Sequence, residues 1–94
     1  MLTEKELRRI IAPILRKRLS GAGLDHFDIE FGEDHDGDPS IFIVAEFTLG
    51  KPAKNALSLL DSLHEIREEL RKHRDPRLPY LRYKTSDVPQ EVSV

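Results

Sequence analysis

The chain has no cysteine, no tryptophan and one methionine, and its longest unbroken apolar run is the five residues from Ile41 to Ala45. Without cysteine there is no disulfide framework, no zinc–thiolate site and no thiol nucleophile, and redox chemistry leaves the compartment open. A run so short is neither the hydrophobic segment of a signal peptide nor a membrane span. The most telling scarcity is local. From Gly21 to Gly50 there is no lysine or arginine, while eight acids fall there: Asp25, Asp28, Glu30, Glu33, Asp34, Asp36, Asp38 and Glu46. That segment carries −8; residues 1–20 carry +4 (six basic, two acidic), residues 51–74 carry +2 (six against four) and residues 75–94 balance, which recovers the net −2. Charge this segregated gives a dipolar surface, suited to steering charged partners and self-association.

What is present fits one small domain. A chain of 94 residues has no room for a second core, and at this length only about 60 to 65% of the unfolded surface is buried. A deep water-excluding pocket would remove packing it needs, so function is expected on the surface or at an oligomer interface and the chain is read as non-enzymatic. The charged N-terminal segment Met1 to Glu6 and the lack of apolar runs lead to the expectation of a cytoplasmic protein.

Hydrophobic spacing predicts five elements. Thr3 and Glu6 form a capping box, with Leu2 and Leu7 spaced for a hydrophobic staple. The stripe Leu7, Ile10, Ile11, Ile14, Leu15, Leu19 follows a helical period, Pro13 predicts a kink or restart near Ala12, and Gly21 and Gly23 are suited to end the helix. Phe27, Ile29 and Phe31 alternate with His26, Asp28 and Glu30 as a half-buried strand, and the turn-rich loop 32–40 leads to a second strand, Ile41 to Leu49. In that strand Phe42 and Val44 are apolar on the face opposite Ile41, Ile43, Ala45 and Phe47. Pro52 suits the start of a second helix ending near His73, and Leu78 to Lys84 reads as a third strand that tolerates Pro79 at its start or on an edge. The expectation is an α+β fold: a two-layer α-β-β-α-β sandwich, two helices on one face of a three-stranded sheet, over residues 1–84, with 85–94 a flexible C-terminal tail. Such a sheet leaves Phe42 and Val44 wet, which predicts self-association through them and a homo-oligomer.

The chemistry-bearing motifs are few. Asp34, Asp36 and Asp38 alternate in the hairpin loop, but the glycine precedes the third aspartate and both flanks are strands, so the pattern is a turn rather than a calcium loop. Gly32 to Gly37 has phosphate-loop spacing without a lysine and with acids that repel phosphate. His64 lacks a second histidine at 68, where Glu68 stands as an ion-pair partner for Lys72. No motif sets a histidine and an orienting group beside Ser20, Ser40, Thr48, Ser58 or Ser62, so no catalytic residues are assigned. No metal ligands and no cofactor are assigned either.

The segment 71–84 is different: Arg71, Lys72, Arg74, Arg77, Arg82 and Lys84 stand against one acid, Asp75, with Tyr80 and Tyr83 interleaved. Arginine and tyrosine dominate interface hot spots, so Arg71, Arg74, Arg77, Tyr80, Arg82 and Tyr83 are the expected partner-binding residues. The function expected is a protein–protein interaction module, antitoxin-like or an adaptor or regulatory subunit, whose partner protein a neighbouring gene could encode. The order of elements also resembles that of type II KH domains, which implies nucleic-acid binding, but these need a basic Gly-x-x-Gly loop that this chain lacks. It is similar too to the cytoplasmic part of cation-efflux transporters, which implies a metallochaperone-like domain, although His26, His35 and His64 match no metal motif. The −8 segment opposes a polyanion within two or three Debye lengths, which ranks protein partners above nucleic acid.

Overall fold

The computed structural model describes residues 1–19, 24–47, 56–84 and 89–92. Helix α1 spans Glu4–Leu19. Its start is the expected capping box: the Thr3 amide donates to Glu6 Oε1 (2.9 Å) and the Glu6 amide to Thr3 Oγ1 (3.2 Å). That bond from the Thr3 backbone holds the Glu6 carboxyl below its usual pKa. The helix runs on through Pro13 without the restart expected at Ala12. Pro13 and Arg9 are both exposed, so the carbonyl freed at Arg9 faces water rather than a dry core. The glycines expected to end this helix, Gly21 and Gly23, and Pro52 at the start of the second lie outside the described residues.

Helix α2 spans Ala56–Lys72, and Leu59, Leu63, Ile66 and Leu70 form its buried stripe. It ends in a Schellman arrangement: the Asp75 amide donates to the Leu70 carbonyl (2.9 Å) and the Arg74 amide to the Arg71 carbonyl (3.0 Å). Arg74 occupies the left-handed position with φ 56°. The two helices are tied by Arg18, whose Nε and Nη2 reach Glu65 Oε1 at 2.9 and 2.8 Å. Arg18 is the main reason the Glu65 carboxyl is held below its usual range.

Strands β1 (Leu24–Glu33), β2 (Pro39–Phe47), β3 (Leu78–Lys84) and β4 (Pro89–Val92) form one sheet in the order β1-β2-β3-β4. β1 and β2 are an antiparallel hairpin, β3 runs parallel to β2 after the α2 crossover, and β4 is antiparallel to β3. The α+β sandwich of two helices on one face of a sheet is as the sequence predicts, with a fourth strand added where a tail was expected. β4 is short and begins at a proline, so it has little strand signature. Among the described residues it pairs with Leu81–Lys84, so Pro79 lies in the part of β3 that these pairs do not reach.

Among the described residues the helices cover one face of the sheet. Ile29, Ile41, Ile43, Ala45, Phe47 and Leu81 join the buried residues of α1 and α2 in a single core. The opposite face carries His26, Asp28 and Glu30 from β1, Phe42, Val44 and Glu46 from β2, and Tyr80, Arg82 and Lys84 from β3, set side by side by the register.

Candidate functional site

The six residues expected to bind a partner do not form one surface. Arg71 pairs with Glu68 (2.7 Å) on α2, and Lys72 with Glu69 (3.2 Å), so the expected Glu68–Lys72 pair is replaced by two pairs at a spacing of three. Arg74 is exposed at the helix end. Tyr83 turns to the covered side, edge-on to Phe47 with ring centroids 6.3 Å apart.

Arg77 is structural. Its side chain is 11% exposed and its Nε and Nη2 meet Asp75 Oδ1 and Oδ2 at 2.9 and 2.5 Å, a bidentate pair with a carboxylate that is fully buried. Asp75 also accepts from the Leu2 and Arg77 amides (each 3.1 Å), while Arg77 Nη2 donates to the Leu2 carbonyl (2.6 Å). The Arg77 guanidinium is the leading reason the Asp75 carboxyl is lowered to a pKa of about 2. The pair clamps the start of the chain to the α2–β3 connection. On its outer side Arg77 lies 5.2 Å from the centre of the half-exposed Phe31 ring.

Tyr80 and Arg82 are brought together on the open face, with the residues expected to self-associate. Phe42 and Tyr80 stack with centroids 5.5 Å apart at 19°, and the Arg82 guanidinium lies 4.4 Å above the centre of Phe42. Val44 is less wet than expected, at 7% exposed. Its ladder partners are Asp28 on one side and Arg82 on the other. Phe42, Tyr80 and Arg82 therefore form one packed cluster on this face.

The acidic hairpin loop closes against the same face. Asp34 Oδ1 accepts from the Asp36 and Asp38 amides (2.9 and 3.0 Å), Oδ2 accepts from the Tyr80 hydroxyl (2.9 Å), and Gly37 turns the chain at φ 82°. These bonds, led by that from Asp38, lower the Asp34 pKa, and the bond to Asp34 raises that of Tyr80. The loop is a turn built around one carboxylate, consistent with its sequence pattern.

A second polar group was not legible in full. His26 and Glu46 are ladder partners, and Asp28 follows on the same face of β1. His26 Nε2 contacts Glu46 Oε2 and lies 4.0 Å from Asp28 Oδ2. Its Nδ1 donates to Asp25 Oδ2 (3.1 Å). The imidazole pKa is raised, first by the bond to Asp25 and then by the nearby Glu46, Asp25 and Asp28 charges. Strand parity shows that His26 and Asp28 share a face, but Glu46 and Asp25 join them only through the hairpin register and a bulge.

Beside this corner a shallow cavity of about 320 Å³ runs between α1 and β1, lined by Arg8, Arg16, Leu24, Asp25, His26 and Phe27 among others. Of the hydroxyls considered as nucleophiles, Ser62 Oγ donates back to the Ser58 carbonyl (2.7 Å) and Ser40 Oγ to the Asp38 carbonyl (2.9 Å). Ser20 and Thr48 lie outside the described residues. Among the described residues no helix is long and apolar enough to cross a membrane. No family model, no curated protein and no solved structure matches this chain.

Proposed function

We propose that this chain is a non-enzymatic protein-interaction module, antitoxin-like or an adaptor or regulatory subunit, acting through the open face of its sheet. A second copy of the chain is the first partner we assign to that face. The observation that carries the reading is the Phe42–Tyr80 stack under Arg82 at the middle of the face opposite the one on which the described helices pack. Tyrosine and arginine packed at a patch centre with charge around them have the anatomy of an interface.

The charges also select a geometry. Asp28 and Glu30 lie on the β1 side of the aromatic stack and Arg82 and Lys84 on the β3 side. A two-fold axis parallel to the strands over β2 sets β1 of each copy against β3 of the other and keeps residues level, so that Asp28 meets Arg82. An axis perpendicular to the strands would oppose β1 to β1, acid to acid. The cytoplasm is the proposed setting, with which a cysteine-free chain is compatible. The basic residues of 71–84 point in several directions, which supports a protein partner over a nucleic-acid backbone.

Sedimentation velocity tests the reading. The wild type should sediment as a dimer and Phe42→Lys as a monomer. Asp28→Lys should weaken the dimer, and adding Arg82→Glu should restore it. A wild type that stays monomeric at high micromolar concentration overturns self-association, and a dimer indifferent to these substitutions overturns the face.

A further inference from the structure

His26 Nε2, an Asp28 oxygen and a Glu46 oxygen lie within 4.8 Å of one another. They come from two paired strands: His26 and Asp28 are two residues apart on β1, and Glu46 faces His26 across the ladder. The register slips between Leu24 and His26, so Asp25 is the extra residue of a bulge. Neighbours in a regular strand point to opposite faces. The bulge instead turns Asp25 so that its carboxylate meets His26 Nδ1 at 3.1 Å. An ionised carboxylate only accepts, so Nδ1 carries a ring proton, and Nε2 is the nitrogen that a metal ion, displacing its proton, would take between Asp28 and Glu46. The imidazolium proton on Nε2 can bridge these atoms, and a divalent cation can take its place, because it reaches all three at once.

We infer that His26, Asp28 and Glu46 form a site for a divalent transition-metal ion of the zinc class, with Asp25 positioning the imidazole from behind. One imidazole nitrogen with two carboxylate oxygens is a donor set for a borderline ion, whereas calcium and magnesium sites are all oxygen. A ligand histidine that donates its other ring N–H to a carboxylate is the usual support for such an ion, because it sets the tautomer and aims the lone pair. Three protein ligands leave a fourth position for water or for a group from a second molecule. The hairpin group of Asp34, Asp36 and Asp38 contrasts with this: it has no nitrogen donor, and Asp34 already gives its oxygens to two amides and the Tyr80 hydroxyl. The metal site needs no second copy of the chain, so it stands or falls apart from the interaction reading.

Calorimetric titration of the full chain with Zn²⁺, together with ¹⁵N spectra of its four histidine rings, tests it. The expected result is one ion per chain, with the His26 Nε2 resonance moving and those of His35, His64 and His73 staying. Glu46→Gln and Asp28→Asn should each weaken binding, and His26→Asn should abolish it. Asp25→Asn should cost about 10- to 100-fold, as removal of an outer partner does. Asp36→Asn in the hairpin loop should change nothing. Each variant is compared at an unchanged metal-free melting temperature, which these exposed side chains allow. Binding indifferent to His26→Asn, a ring shift at another histidine in place of His26, or no heat of binding up to millimolar Zn²⁺ would overturn the site.

Discussion

The two faces of β2 belong to the same residues and answer to different forces. On one face Ile41, Ile43 and Ala45 are fully buried beneath two helices. On the other, Phe42 packs against Tyr80 and Arg82 from the neighbouring strand, and Val44 stands between Asp28 and Arg82 in register. Covering by helices makes a space that collapses poorly when a side chain is removed. Covering by long surface side chains makes one that refills. The first face is therefore where stability resides, and the second can be altered without unfolding the chain.

The sharpest way to break that contrast lies off both faces, at the buried clamp. Asp75→Ala leaves the Arg77 guanidinium without its carboxylate at 11% exposure, and should cost about 3 to 5 kcal/mol in chemical denaturation. The acid limb of the stability curve gives a gentler version. Asp75 is held at about 2 against an ordinary 3.8, so its contribution is complete above the ordinary value and is lost as pH falls from there through 2. The loss should amount to at most about 2 kcal/mol, and should vanish from the pH profile of the Asp75→Ala chain.

The next test compares the faces directly. Ile43→Ala should cost about 2 to 5 kcal/mol by opening a cavity under the helices. Val44→Ala, one residue away, should cost less than half as much, because the flanking stems can settle into the gap. Equal losses would mean that the open face is packed as a core and is not available for docking.

The smallest effect is expected at the end of α2. Arg74 holds a left-handed conformation that costs a side chain about 1 to 2 kcal/mol and glycine nothing. After glycine's own entropy cost, Arg74→Gly should raise stability by up to about 1 kcal/mol. If Arg74 also touches a partner, the same substitution should weaken that complex while the melting temperature rises. A melting temperature that falls would mean that the arginine side chain does more than cap.

Much of the fold could be read from local pattern. The capping box at Thr3 and Glu6, the helical stripes of α1 and α2 and the alternation of β1 and β2 each depend on residues close in the chain. The Schellman end of α2 was hidden because its left-handed residue is an arginine where glycine is the usual signal. β4 was hidden because four residues with a leading proline have almost no pattern of their own.

The site shows the same division. Residue types and parity alone determined that this chain carries a segregated charge, an apolar pair at Phe42 and Val44 on the second face of a strand, and His26 beside Asp28. Only the tertiary structure decided that Arg77 is consumed by Asp75, that Tyr83 joins the core, that Tyr80 and Arg82 meet Phe42, and that Glu46 and Asp25 close around His26. The reason is physical: local signals are set by the few residues within a turn or a ladder step. Which distant side chains share a surface depends on register, a bulge and a parallel crossover, and these follow from packing the whole chain at once.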